Sequence, residues 1–269
     1  MLGQAVVKHF KQNTAFETIS VSRGLDKPDF RITDLNDVFI LIDQLKPRYI
    51  INCIGIIKPH INLQSNSILN AIKVNSVFPH ELSIYCEKAN IKIIQIATDC
   101  VYSGRIGGYS ESSEPDPTDV YGMSKYLGEI NSNNSMNIRC SIIGPNQYSN
   151  TSLFNWVAGL EDHSIVPGYT NHYWNGVTTS TYAEVVERII NFSLFQAGTF
   201  HLVPSDSVSK YELVKIIANY LNKGTLIISE VEAQSNIDRR LTTNNPTFNC
   251  ALWGVSKDFE IPAIAEMKF

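Results

Sequence analysis

Short runs rich in valine and isoleucine alternate with longer segments of helical spacing through the first half of this chain, and few architectures accommodate that rhythm. Phe16 to Val21, Tyr49 to Ile54 and Lys92 to Ala97 read as strands, while Asp34 to Leu45 and Asn75 to Ala89 carry apolar residues at helical intervals. The alternation predicts an α/β fold, a parallel sheet covered by helices. Another buried strand around Arg139 to Ile143 stops at the Gly144-Pro145 breaker, after which the rhythm gives way to loops holding Trp156, Trp174, Asn175 and Gly176. A second lobe is expected to start there. Thr179 to Phe195 then reads as a helix, Gly198 to Val203 as a strand, and Lys210 to Leu221 as a helix announced by Ser209 and Glu212, spaced as in a capping box.

A chain of 269 residues with 43% hydrophobic content can bury a full α/β core. Its formal charge of −4 and scattered lysines and arginines argue against a nucleic-acid surface. The 5 cysteines are odd in number, widely spaced and mostly set in apolar runs, which suits small buried hydrophobes in a reducing cytoplasm. The 6 histidines show no metal-ligand spacing, and His201 reads as a packed strand histidine. No apolar stretch approaches the roughly 20 residues that would cross a bilayer, so no membrane partner is expected.

The residues that carry chemistry lie in the middle of the chain. Tyr121 and Lys125 are i and i+4 of an expected helix, so ammonium and phenol share one face. Thr98 ends the apolar run Ile93-Ile94-Gln95-Ile96-Ala97, 23 residues earlier. An ammonium beside a phenol favours its ionised form and draws its pKa down from the reference of about 10.

With Thr98-Asp99-Cys100-Val101-Tyr102 ahead of Tyr-x-x-x-Lys, the chain resembles the extended short-chain dehydrogenase/reductase family, and within it the dTDP-4-dehydrorhamnose reductase group. Asn52-Cys53-Ile54-Gly55 looks like that group's turn under the cofactor, Val74-Asn75 like its Val-Asn, Arg139-Cys140-Ser141 like its Arg-Thr-Ser, and Trp174 to Thr179 and Gly198 to Val203 like its later segments. The resemblance implies a Rossmann-like doubly wound parallel sheet over residues 1–145, completed by about 177–203. A smaller substrate-binding lobe would come from 146–176 and 204–269. It implies reduction of a ketone on a nucleotide-linked sugar by hydride from a nicotinamide. Tyr121 would protonate the carbonyl oxygen, Thr98 would hydrogen-bond it, and Lys125 would hold the nicotinamide ribose.

The same resemblance puts Leu2, Gly3, Ser22, Arg23, Ile32, Cys53, Ile54 and Gly55, with Tyr121 and Lys125, against the cofactor. Arg23 after Ser22 favours the 2′-phosphate of NADP, so NADPH is the expected donor with NAD as the alternative. Arg31 and Ile142 depart from the group's pattern, the first near the adenine and the second where a tryptophan packs on the sugar. A UDP-linked amino-ketosugar therefore stays beside the dTDP-linked 4-keto-6-deoxysugar as substrate. A homodimer is compatible with the family. So is a non-catalytic regulatory subunit, because one relative binds the synthetase of a methyl donor. Met1-Leu2-Gly3 looks like the last glycine of a phosphate-binding turn leading straight into its helix. The expectation is an upstream strand with a Gly-x-x-Gly turn, and weak cofactor binding and poor solubility for the chain as written.

Overall fold

A computed structural model describes residues 1–23, 28–147, 152–256 and 260–269. Helix α1 (Leu2–Asn13) is followed by β1 (Val21–Ser22), β2 (Phe30–Arg31), α2 (Asp37–Leu45), β3 (Tyr49–Asn52) and α3 (Ser65–Ile72). A π-helical turn (Lys73–Val77) joins α3 to α4 (Phe78–Lys88), and β4 (Lys92–Thr98), α5 (Val120–Leu127), β5 (Ser135–Cys140) and β6 (Ile142–Ile143) follow. The remainder comprises α6 (Leu153–Ala158), β7 (Ile165–Tyr169), β8 (His172–Trp174), β9 (Val177–Thr178), α7 (Thr179–Asn191), β10 (Gly198–His201), β11 (Val208–Ser209), α8 (Lys210–Tyr220), β12 (Ile227–Val231), β13 (Ile237–Asp238) and α9 (Pro246–Trp253).

The organising element is a 4-stranded parallel sheet in the order β10-β5-β4-β3. Adjacent residues of β4 point to opposite faces. Ile94 joins Met136 and Ile138 against Val6 and Phe10 of α1 and Tyr182, Val186 and Ile189 of α7. Ile93 joins Ile42 of α2 and Phe78, Leu82 and Cys86 of α4. Helices thus cover both faces, as the apolar runs require, and each fully buried Ile or Leu contributes about 1.5–3 kcal/mol.

Polar side chains interrupt that core in one row. Asn52, Gln95, Asn137 and Thr199 are register partners on the neighbouring strands β3, β4, β5 and β10. Asn52 Nδ2 donates to Gln95 Oε1 (2.9 Å), Gln95 Nε2 to Asn137 Oδ1 (3.3 Å), and Asn137 Nδ2 to Thr199 Oγ1 (3.1 Å). Buried amides are costly unless bonded, and these are bonded to one another.

The strand expected over Phe16 to Val21 is shortened to Val21–Ser22, which pairs with β2 and not with the 4-stranded sheet. A strand persists only where a neighbour completes its ladder. Residues 16–19 belong to no ladder among the described residues, and Phe16 and Ile19 are correspondingly exposed. The helix expected from Asn75 begins instead as the π-helical turn, whose Val74, Asn75 and Ser76 are buried. The capping box of Ser209 and Glu212 forms as read from the sequence.

From β6 onward the strands outside the main sheet are short, grouped as β11-β8-β13, β12-β7 and β6-β9. Phe154 and Val157 of α6 and Leu213, Val214 and Ile217 of α8 share the apolar core of the main sheet. No helix among the described residues is long and apolar enough to cross a membrane.

Candidate active site

Thr98 is the last residue of β4, where the chain leaves the sheet into a 3-10 turn over Asp99–Val101. Its Oγ1 accepts from Cys100 N and donates to Asp99 Oδ1, both at 3.2 Å, so the hydroxyl is held in one orientation. Helix α5 starts 22 residues later with Asp119 as its N-cap, whose carboxylate accepts from Gly122 N at 2.8 Å and pairs with Lys58 at 2.7 Å. Gly122 lets this helix close onto the turn, because a Cβ there would stand 2.2 Å from the Cys100 carbonyl oxygen. The close approach brings the Tyr121 phenol within hydrogen-bonding influence of Thr98.

Burial dominates the electrostatics. The Tyr121 phenol is pushed well up by desolvation, reinforced by Cys100, Asp99 and Asp119 and opposed by the Thr98 hydrogen bond. Desolvation draws the Lys125 ammonium down to about 8, against the pull of Glu129 and Cys53. Its Nζ donates to the Ile96 carbonyl at 2.9 Å. The expectation that the ammonium would dominate the phenol is therefore corrected: spacing on one helical face does not by itself outweigh removal from water. Asp99 is likewise raised by burial, with Arg239 and Lys210 pulling the other way.

The residues expected at the cofactor fall into two groups. Leu2 and Gly3 open α1, whose N-terminus has no side-chain cap, and the Gly3 Cα faces Cys53, 3.5 Å from where a Cβ would stand. Burial pushes the Cys53 thiol up to about 12, opposed by Lys125 and the Met1 amine, so α1, the end of β3 and α5 converge here. Ile54 N donates to Asn52 Oδ1 at 3.1 Å, and beyond Gly55 the backbone of Ile56 is held by Asn75. Asn75 Oδ1 accepts from Ile56 N at 2.7 Å, and its Nδ2 donates to Ile56 O at 2.9 Å and to Ser124 Oγ at 3.0 Å. One side chain thus ties the loop after β3 to the helix of Tyr121 and Lys125.

Ser22, Arg23 and Ile32 form the second group, at the ends of β1 and β2. Ile32 N donates to Ser22 O (3.2 Å) and Arg31 Nη1 to Arg23 O (2.9 Å), which gathers two arginines at that rim. The Ile32 side chain itself is buried.

Other residues take structural positions. Trp174 is buried with Nε1 bonded to Ser141 Oγ, while Tyr173 is exposed beneath the Arg240 guanidinium. His201 is a packed histidine, lowered to about 4 by burial and bonded to the Thr242 carbonyl. The sequence reading missed Asp119, Lys210 and Arg239. Asp119 was visible as a cap residue ahead of an apolar helix, whereas the two cations come from distant segments and gave no local signal.

A doubly wound parallel sheet that carries a threonine at the C-terminal end of an inner strand, faced by a tyrosine and a lysine on one helix, defines the nucleotide-dependent reductase class of α/β proteins. Within that class the chain belongs to the RmlD substrate binding domain family, whose model matches residues 1–248. It is 26% identical over 256 residues to a probable low-salt glycan biosynthesis reductase of Haloferax volcanii, covering 89% of this chain and 83% of that one. It is 31% identical over 132 residues to methionine adenosyltransferase 2 subunit beta of Xenopus laevis, covering 48% and 39% respectively. A hypothetical dTDP-4-dehydrorhamnose reductase from Sulfolobus tokodaii has the same fold, with a TM-score of 0.77 at 22% identity over 100% of this chain and 96% of that one. The dTDP-4-dehydrorhamnose reductase of Bacillus anthracis, solved in complex with NADP, aligns with a TM-score of 0.68 at 20% identity over 87% and 83%.

Proposed function

We propose that this protein reduces the ketone of a nucleotide-linked 4-keto-6-deoxysugar, with NADPH supplying the hydride, in the synthesis of surface polysaccharide precursors. The observation that carries the reading is the meeting of Thr98 and Tyr121 where β4 leaves the sheet, with Lys125 on the same face of α5. Tyr121 donates its proton to the carbonyl oxygen, and its raised pKa keeps it protonated until charge develops there. Thr98 hydrogen-bonds the same oxygen once its hydroxyl turns from Asp99. The segments 146–176 and 204–269 form the sugar-binding lobe.

The residues fit the cofactor. Lys125 has three ammonium protons and, among the described residues, gives one of them to Ile96, which leaves donors for the ribose hydroxyls. The uncapped start of α1 at Leu2 and Gly3 offers backbone N–H groups to phosphate, beside Cys53, Ile54 and Gly55. Arg23 and Arg31, gathered at the ends of β1 and β2, suit the 2′-phosphate of NADP better than the free hydroxyl of NAD. The complex of the Bacillus anthracis relative with NADP supports the same choice.

The test is to mix the purified protein with NADPH and dTDP- or UDP-linked 4-ketosugars while following the absorbance of the reduced nicotinamide. Oxidation with at least one sugar is expected, and none with any of them refutes the proposal. The match to methionine adenosyltransferase 2 subunit beta supports a second reading, a non-catalytic subunit. Stoichiometric co-purification with a methionine adenosyltransferase, without turnover, would select it.

A further inference from the structure

Where β4 hands over to the 3-10 turn, a carboxyl stands beside the threonine of the candidate site. Asp99 is buried, and its Oδ1 lies 3.2 Å from Thr98 Oγ1. Thr98 Oγ1 also accepts from Cys100 N at 3.2 Å. A hydroxyl has one proton to give, so Thr98 can serve the Asp99 carboxylate or a ketone oxygen, but not both.

The surroundings of Asp99 decide which it serves. Among the described residues Asp99 has no basic side chain within ion-pair distance. Its carboxyl meets two neutral donors, the Thr98 hydroxyl and the Cys100 thiol. Arg239 and Lys210 face it from the second lobe, and other groups hold them there. Arg239 Nε donates to Tyr102 O at 2.8 Å, and Lys210 Nζ stands 5.8 Å from the centre of the Trp174 ring. Tyr121 faces it from α5 and Cys140 from β5, a phenol and a thiol that burial keeps neutral. A carboxyl taken from water without a paired counter-ion favours the neutral acid, and burial raises Asp99 accordingly. Turning the Thr98 hydroxyl away from an ionised Asp99 strips a buried charge of a donor. A neutral Asp99 loses nothing of that kind, because it has a proton of its own to place between the two oxygens.

We propose that Asp99 is a positioning residue for Thr98: as the neutral acid it donates to Thr98 Oγ1, which frees the threonine hydrogen to point at the ketone oxygen. The same 3.2 Å contact accommodates donation in either direction. Asp99 keeps its proton throughout, and Tyr121 remains the donor to the substrate. The inference rests on the role given to Thr98 above and adds the group that aims it. Below its midpoint Asp99 is neutral and Thr98 is free for the ketone. As pH rises through the midpoint, the carboxylate recaptures the hydroxyl and the rate falls.

The test reads the carboxyl directly. In full-length protein carrying isotope-labelled aspartate, the Asp99 signal is assigned by through-bond connection to the Cys100 amide and titrated by NMR. Its midpoint is expected above the ordinary aspartate value of about 3.9, and kcat/KM for the ketosugar should fall along a limb at the same pH. Asp99→Asn fixes the direction of the bond, because its amide nitrogen donates and never ionises. This variant should keep kcat/KM within about threefold of the wild-type maximum and lose the limb, whereas Asp99→Ala should fall about fivefold or more at every pH. Thr98→Val removes the donor to the ionised form and should raise the Asp99 midpoint by about half a unit or more. A wild-type midpoint at or below about 3.9 overturns the proposal whatever the variants do. An Asp99→Asn profile that keeps the limb, or a folded Asp99→Asn no more active than the alanine variant, overturns it equally. If the wild type turns over no ketosugar while the midpoint is raised and moves in Thr98→Val, the substrate reading fails and the aiming of Thr98 stands. A midpoint unmoved by Thr98→Val overturns the aiming itself.

Discussion

Asn75→Ala is the substitution that most directly tests how the site is assembled. The residue is fully buried in the π-helical turn, and its side chain makes the three hydrogen bonds that join the Gly55 loop to α5. Each such bond contributes about 1 kcal/mol net, and a buried partner left unmatched costs about 1–3 kcal/mol. Ile56 is half-buried and regains part of its loss from water, so the expected destabilisation is about 3 kcal/mol. Against a folding margin of roughly 5–15 kcal/mol this lowers the melting temperature by about 6–12 °C. The loop before Lys58 should also loosen, so NADPH affinity falls further than the lost stability explains. Thermal unfolding followed by circular dichroism, with and without NADPH, measures both effects. Asn75→Asp serves as the control. It keeps the acceptor for Ile56 N–H but turns a lone pair onto the Ile56 carbonyl and Ser124, and is expected to do no better than alanine. A melting temperature within about 2 °C of wild type, with unchanged NADPH binding, would show that the turn does not organise the site.

Three further outcomes follow from the geometry. Tyr121→Phe removes the proton donor and should lower kcat/KM roughly 10²–10⁴-fold; retained turnover would remove Tyr121 from the chemistry. Gly122→Ala drives a methyl group into the Cys100 carbonyl, 2.2 Å away, and should part Thr98 from Tyr121, with kcat/KM falling about tenfold or more and stability by about 1–3 kcal/mol. Lys125 titrates near 8 in the fold against 10.5 in the reference state, so the folded chain binds fewer protons across that window and wild-type stability rises with pH through it. Lys125→Met should therefore be the more stable protein at pH 7 in urea titrations, with the difference shrinking toward about pH 10, and a constant difference would deny the burial penalty.

Much of this architecture was legible because β4 and its neighbours announce themselves as apolar runs, and because Ser209 and Glu212 carry a helix start in their own spacing. The candidate triad stood out for a related reason: Thr98 is the polar residue that ends a buried run, and Tyr121 and Lys125 lie one turn apart. What escaped reading depends on partners far away in the chain. Phe16 to Val21 has strand composition, yet only its end finds a ladder. The π-helical turn is set by packing of Asn75 against Gly128 and Ser124, about which local spacing says nothing. The direction of the Tyr121 shift depends on burial, which two residues on one helical face cannot specify.

Read along the chain, Asn52, Gln95 and Asn137 look like blemishes in otherwise apolar strands. Across the sheet they act as a gauge. Slide any one of the four strands by a single residue and its polar side chain turns into hydrocarbon while its neighbours lose their partners, so misaligned assemblies are penalised at every joint. The correct alignment sets Ala97 opposite Arg139 and Thr98 opposite Cys140, so β4 and β5 end together, while β3 stops lower, at Asn52 opposite Gln95, and releases the chain at Cys53. A row of amides deep inside the molecule thereby sets the height of the ledge on which the chemistry is laid out.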